Sequence, residues 1–330
     1  MSDTATTHAP AARDHARRER LVALVQSRLA LAVLIVVTLG AGAYFPNLLA
    51  PTNIENIVTA ASFLGLIVLG QSFVLIMGGL DLSVGSMLAL GTVISAYTLP
   101  YGWPVALLAP AVAGALVGLI DGTLIARAKM APFIVTLAAL LGIHGIALAL
   151  AKQSMDLGDA GFFGTIANGE IAGINNMIWI LLIAFALGAL VLNRTRYGMA
   201  LFAIGGNEDA ARMMGVRVER IKIATYMLSG ALAGLAGALL AARLNSGLPT
   251  AGEGYELQSI AAAVVGGVLL TGGVGTLTGA LSGVLLLGLI QNIINQIGTL
   301  SASYQQLASG AFLLVAVIIQ SLLSHRRGGE

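Results

Sequence analysis

Asp81 stands in the run GGLDLS, between two long apolar stretches. An acid near membrane depth is costly to hold and by default points to function, as a proton or ion site. The other reading is a helix cap, with the carboxylate taking backbone N–H groups where the next helix begins. Gly78 and Gly79 let the chain turn where a side chain would clash, and Gly78, Gly79, Asp81 and Ser83 together form a turn at the inner face. That position favours the cap. Asp121 and Arg127 lie near the inner end of one apolar run, where they could pair. His8, His15, His144 and His325 make no metal-ligand spacing. His144, in mid-run, reads as a hydrogen-bonded packing residue, with a proton relay as the alternative. The lysines are Lys129, Lys152 and Lys222, and none follows a glycine, which excludes a phosphate loop ending in Gly-Lys-Ser/Thr. With no cysteine there is no thiolate catalyst, disulfide or Cys-based metal site. These residues make no catalytic constellation, so the chain reads as a non-enzyme with no cofactor and no metal.

The elements that position them are apolar helices. The chain has 330 residues, of which 57% are hydrophobic and 10% charged, too few charges for a soluble domain. Apolar runs of about 20 residues recur, the length that crosses a bilayer as helix. The expectation is an all-α polytopic membrane protein with about ten spans, near 29–45, 54–77, 82–99, 104–126, 132–151, 176–193, 222–242, 256–271, 275–296 and 304–323. Glycines interrupt the eighth and ninth, so a re-entrant path over 256–284 is the alternative there. The first run follows an Arg-rich tail, as a signal peptide would, but leads into Tyr44-Phe45-Pro46 without a well-placed small-x-small site, and reads as an uncleaved span.

Ten spans put both termini in the cytoplasm. Of the 17 lysines and arginines, all but Lys152 and Arg243 then fall on the inner side, as the positive-inside rule requires. The net charge of +2 therefore reflects orientation and says nothing of nucleic acid. The organisation is a cytoplasmic tail (1–28), a transmembrane domain (29–324) with a cytoplasmic loop at 194–222, and a short cytoplasmic tail (325–330). The longer external segments are Lys152 to Asn175 and Leu244 to Gly254. GGLDLSVGSMLALG at 78–91 is similar to TGGVGTLTGALSGV at 271–284, a hint of an internal repeat. Gly114, Gly118 and Gly122 share a helix face, as do Gly230, Gly234 and Gly237, and Gly279 with Gly283; small residues let membrane helices approach closely.

The loop at 194–222 predicts its own short helix. Gly205-Gly206-Asn207 is a turn followed by an N-cap, Glu208 and Asp209 suit the positive end of a helix, Ala210 to Met214 favour helix, and Gly215 can end it. Asp209-Ala210-Ala211-x-x-x-Gly215 resembles the E-A-A-x-x-x-G core of the coupling loop in bacterial ATP-binding-cassette importers, with Asp209 in place of Glu and without the Leu-Pro ending. GGNEDAARMMGV, GGLDLSVGS, RAKMAPFIVTLA, ARLNSGLPTAGEGYEL and TGGVGT are together similar to the ribose-type sugar permeases and fall in that family's order over roughly residues 50 to 320.

That resemblance implies an inner-membrane permease subunit for a monosaccharide such as a ribose-like pentose, a hexose or a related polyol. It implies a separate cytoplasmic ATPase docked on Asn207, Glu208, Asp209, Ala210, Ala211 and Gly215, an external sugar-binding protein, and a second permease copy forming a homodimer within the lipid. A sugar pathway wants hydroxyl, amide and aromatic groups with little fixed charge. Gln71, Asn245, Tyr255, Gln258 and Asn292 supply such groups, and each could equally be an interhelical hydrogen bond. A branched-chain amino acid permease of the same superfamily is the nearest alternative. An ion-coupled secondary transporter using Asp81, Asp121 and His144 is the other.

Overall fold

The computed structural model describes residues 30–45 and 47–297 and, beyond them, Leu307, Gly310, Ala311 and Leu314. The expected tenth span and both tails lie outside the described residues. Helices dominate. In chain order they are α1 (Ala30–Tyr44), α2 (Pro51–Ile76), α3 (Val84–Thr98), α4 (Trp103–Ala126), α5 (Pro132–Leu150), α6 (Gly161–Asn168), α7 (Asn176–Arg194), α8 (Arg196–Gly206), α9 (Glu208–Met213), α10 (Val218–Leu244), α11 (Tyr255–Val265) and α12 (Leu277–Ile297). Seven of the described helices are long and apolar enough to cross a membrane: α2, α3 with the turn after it, α4, α5, α7, α10 and α12.

The chain is thus an all-α polytopic membrane protein, and the expected spans two to seven and nine each find their helix. Span eight differs from the expected continuous helix over 256–271 and is closer to the interrupted path kept as its alternative: α11 has 11 residues, about 16 Å at 1.5 Å per residue. Gly266 ends it, Gly267 follows at φ 90°, and the N–H groups of Gly267 and Val268 close the last turn on Val264 O and Ala263 O.

Two helices form the centre. α2 is almost wholly enclosed by its neighbours, whereas α4, α5 and α7 turn most of their surface outward. An enclosed span needs no polar face, which is why α2 is mostly apolar on all sides beyond its first turns, with Gln71 and Ser72 the buried exceptions near its end. α10 packs most extensively on α4, then on α3 and α2. The glycine faces make this possible: Gly114 lies on the Gly230 backbone, Gly118 on that of Tyr226, and Gly237 on that of Gly91, with no space for a Cβ. On α12, Gly279 and Gly283 admit Gly266 and Ala262 of α11 in the same way.

The segments at 152–175 and 244–254 are more ordered than their composition suggested. Met155–Asp156 (β1) pairs antiparallel with Ser246–Gly247 (β4), and Glu170–Ile171 (β2) with Ile174–Asn175 (β3). Phe163 and Ala167 of α6 are fully buried. Asn175 caps α7 by accepting from Met177 N at 2.9 Å, and its own N–H donates to Glu55 Oε1 at 2.8 Å.

Candidate functional site: the coupling segment and the broken helices

α8 and α9 stand between α7 and α10 as a compact unit. Thr195 caps α8, accepting from Gly198 N at 3.2 Å. Leu201 and Ile204 of α8 are buried in the main core. Burial pushes the Tyr197 hydroxyl up to about 12, so it stays protonated and bonds Thr225 of α10 at 2.8 Å. Asn207 caps α9, its Oδ1 accepting from Ala210 N at 2.9 Å. Glu208 and Asp209 occupy the first turn and Arg212 the last, each on the end of the helix dipole that favours its charge. Gly215 follows at φ 83°, with the Val216 N–H closing on Ala211 O at 3.1 Å. Glu208 also receives Lys222 Nζ at 2.6 Å and Arg212 at 3.2 Å, which ties α9 to the N-terminal part of α10.

The faces of α9 are not equivalent. Ala211 is wholly buried against this chain's own core, so it supports the helix from within. The outward surface carries Asp209, the half-buried Ala210, and Met213 and Met214, which are 84% and 71% exposed. Two unbranched apolar side chains held in the open on an ordered helix are suited to a partner's pocket. Sequence reasoning passed over both, because spacing fixes which residues share a face of α9 but not which face is turned outward.

Two helix breaks reach this segment from the bundle. After α2 the chain turns at Gly78 (φ 82°), with Gly79 N–H on Val74 O, and rises as Leu80–Leu82 to α3. Asp81 is buried. Its Oδ1 accepts from Ser83 N at 3.0 Å and Ser83 Oγ at 2.6 Å, and its Oδ2 from Ser229 Oγ of α10 at 2.8 Å. It therefore serves the start of α3 and also pins that start to the middle third of α10. After α11 a second turn carries Gly272 and Gly273, and the Gly273 N–H donates to Ile76 O at 2.8 Å. Gly205 of α8 completes the junction, lying so close to Ile76 O and Gly273 that a Cβ has no room.

The other polar groups singled out in the sequence are scattered. Asn245 (φ 51°) donates to Gly158 O in the segment before α6, Asn292 bonds Asn53, and Gln258 accepts from Gln291. Tyr255 packs at the border of the two main cores. Gln71 alone is fully buried with neither amide atom bonded.

Long helices around two interior breaks, with a capped helix held outside the bundle, make the construction of a membrane permease. A family model for the permease component of branched-chain amino acid transport systems matches residues 53–317. The chain is 36% identical over 310 residues to the ribose import permease protein of Haemophilus influenzae, covering 92% of this chain and 95% of that one. It is 40% identical over 278 residues to the ribose import permease protein of Bacillus subtilis, covering 83% and 86%. It is 35% identical over 284 residues to the L-arabinose ABC transporter permease protein of Azospirillum brasilense, covering 86% and 84%. No solved structure matches. The chain belongs to this permease family, and is a multi-pass protein of the bacterial inner membrane.

Proposed function

We propose that the chain is the permease subunit of a binding-protein-dependent ABC importer for a monosaccharide or related polyol. Two copies form the translocation pathway, each with about ten spans and both termini in the cytoplasm. ATP hydrolysis belongs to a separate ATPase, and the external segments at 152–175 and 244–254 receive the sugar-binding protein. The family model is described by branched-chain amino acid transport, but several relatives matched over 83–92% of the chain are named for ribose or arabinose, which supports the sugar reading. The observation that carries the proposal is α9: a capped, charge-braced helix with exposed Met213 and Met214, which gains from order only if something docks there.

The burial of Ala211 decides which variant tests it. Ala211→Trp would disrupt this chain's own core, whereas Met213→Glu changes only the outward surface. Met213→Glu is expected to insert and fold normally, to lose co-purification with the ATPase, and to abolish ATP-driven uptake. Normal assembly and uptake in this variant would remove the docking role of α9.

A further inference from the structure

After β4, seven residues of irregular chain (248–254) run beside α3 before α11 begins. Gly247 lies against Thr92 and Ala96. Leu248 exchanges two hydrogen bonds with Thr92 Oγ1, at 2.8 and 2.9 Å. Further down, Gly252 lies against Gly85 and Leu88, and the Glu256 carboxylate lies against Gly85. α10 runs beside α3 and gives the depth: Gly91 packs on Gly234 and Gly237, and Asp81 bonds Ser229. Those α10 residues are in the interior of a 27-residue helix. The first turns of α3 and α11 therefore meet deep inside the bundle. Irregular backbone at such depth persists only where protein encloses it or water reaches it.

A recess of about 150 Å³ opens at that meeting point, between Ser86, Leu140, His144, Glu253, Glu256 and the Ala251–Gly252 backbone. His144 Nε2 lies 4.0 Å from Glu253 Oε1. Ser86 Oγ donates to Ser83 O and keeps its lone pairs for an incoming donor. Ionisable groups facing hydrocarbon would be very costly, so this face borders a water-filled path. The chemistry narrows the ligand. Glu256 sits in the first turn of α11 and against the first turn of α3, so two helix N-termini already balance its charge. Glu253 has His144 beside it. A cation would compete with those groups, an anion would meet two carboxylates, and no lysine or arginine lines the recess to hold the carboxylate of an amino acid. A neutral polyol meets no such conflict, because each hydroxyl donates to a carboxylate and accepts from a neighbour. The volume lies below the roughly 300–1,000 Å³ of drug-sized sites, which limits it to one small ring.

We propose that this recess is a transit subsite for a single neutral sugar, held by Ser86, His144, Glu253 and Glu256 where α3 and α11 begin. It rests on the reading of the chain as a sugar permease. The test uses the full transporter with its ATPase and binding protein in proteoliposomes, with ribose as the probe. His144→Phe removes the ring nitrogens at similar size and Glu256→Gln removes one charge while keeping shape. The expected result is at least a tenfold fall in ribose uptake for His144→Phe and a several-fold fall for Glu256→Gln, with assembly and binding-protein-stimulated ATP hydrolysis within twofold of the parent. Uptake that stays in step with hydrolysis in both would overturn the subsite. Because the chain has no cysteine, His144→Cys supplies a second measurement on an assembled transporter. A small polar thiol reagent should label Cys at 144 and stop uptake; absence of labelling, or labelling without loss of uptake, overturns the subsite as well. Failure of the sugar-permease reading shows elsewhere, as a parent protein that binds no ATPase or imports no ribose.

Discussion

The α2–α3 and α11–α12 hairpins follow the same route and are locked differently. Both turn at glycines with positive φ, Gly78 in one and Gly272 and Gly273 in the other. In the first, a side chain holds the outgoing helix: Asp81 joins Ser83 to Ser229 and so fastens α3 to α10. In the second, Gly275 stands where the repeat would place an acid. Backbone and hydroxyl do the work there, through Gly273 N–H on Ile76 O and Thr276 Oγ1 accepting from Gly279 N at 3.2 Å. The first hairpin is thus anchored to α10, the helix that follows α9, and the second is anchored to the first. Gly205 fills the space between them, so α8 touches both turns at one point.

Breaking the shared point should have the largest effect. Gly205→Val places a branched side chain against Ile76 O and Gly273, and overpacking of that kind costs about 1–3 kcal/mol or more. The expected outcome is a clear fall in folded yield and melting temperature in detergent, with uptake lost in whatever protein survives. A melting temperature equal to the parent's would mean the three turns are not in contact.

Next comes the carboxylate pin. Asp81→Leu leaves the Ser83 N–H and the Ser229 hydroxyl buried without their acceptor, at roughly 1–3 kcal/mol. Asp81→Asn keeps an oxygen for Ser83 and lets Ser229 reverse its hydroxyl toward the amide. The Asn variant should therefore retain most stability and most transport, while the Leu variant loses both. An Asn variant that is well folded yet inactive would favour a proton-carrying role for Asp81 over a structural one. The smallest change is expected at Thr276→Val, which removes one cap bond from α12, at about 1 kcal/mol. If Thr276→Val proved more damaging than Asp81→Leu, the ranking of the two locks would be reversed.

The glycine repeat and the cap of α9 were legible because each is written locally. Two glycines ahead of Ser or Thr specify a turn and a helix start, and Asn207 followed by two acids specifies the next. What escaped depended on tertiary placement. The glycines in the run through Val264 and Leu270 suggested an interruption, but hydropathy alone does not fix that the helix ends at Gly266 and Gly267. Ala211 and Ala210 look alike in sequence, but only the pose of α9 against α8 and α10 turns Ala211 inward and Met213 outward. Asn245 and Asn292 carried the right chemistry for a pathway, and their partners Gly158 and Asn53 lie too far along the chain for spacing to suggest. The groups of the recess come from α3, α5 and the descent to α11, and no sequence window contains them together.

α10 bears the Glu208–Lys222 tie at one end and leads into β4 at the other, where Ser246 and Gly247 join the segment that follows α5. Its 27 residues make a rod of about 40 Å with no break between those attachments. A push rod has no lag: whatever rotates one end turns the other within the same stroke. If the chain is the importer subunit proposed above, a nucleotide-driven tilt of α9 that α10 follows would move β4 and the Ser229 anchor together, so release of the binding protein and movement of the pathway would be one event sharing a single clock.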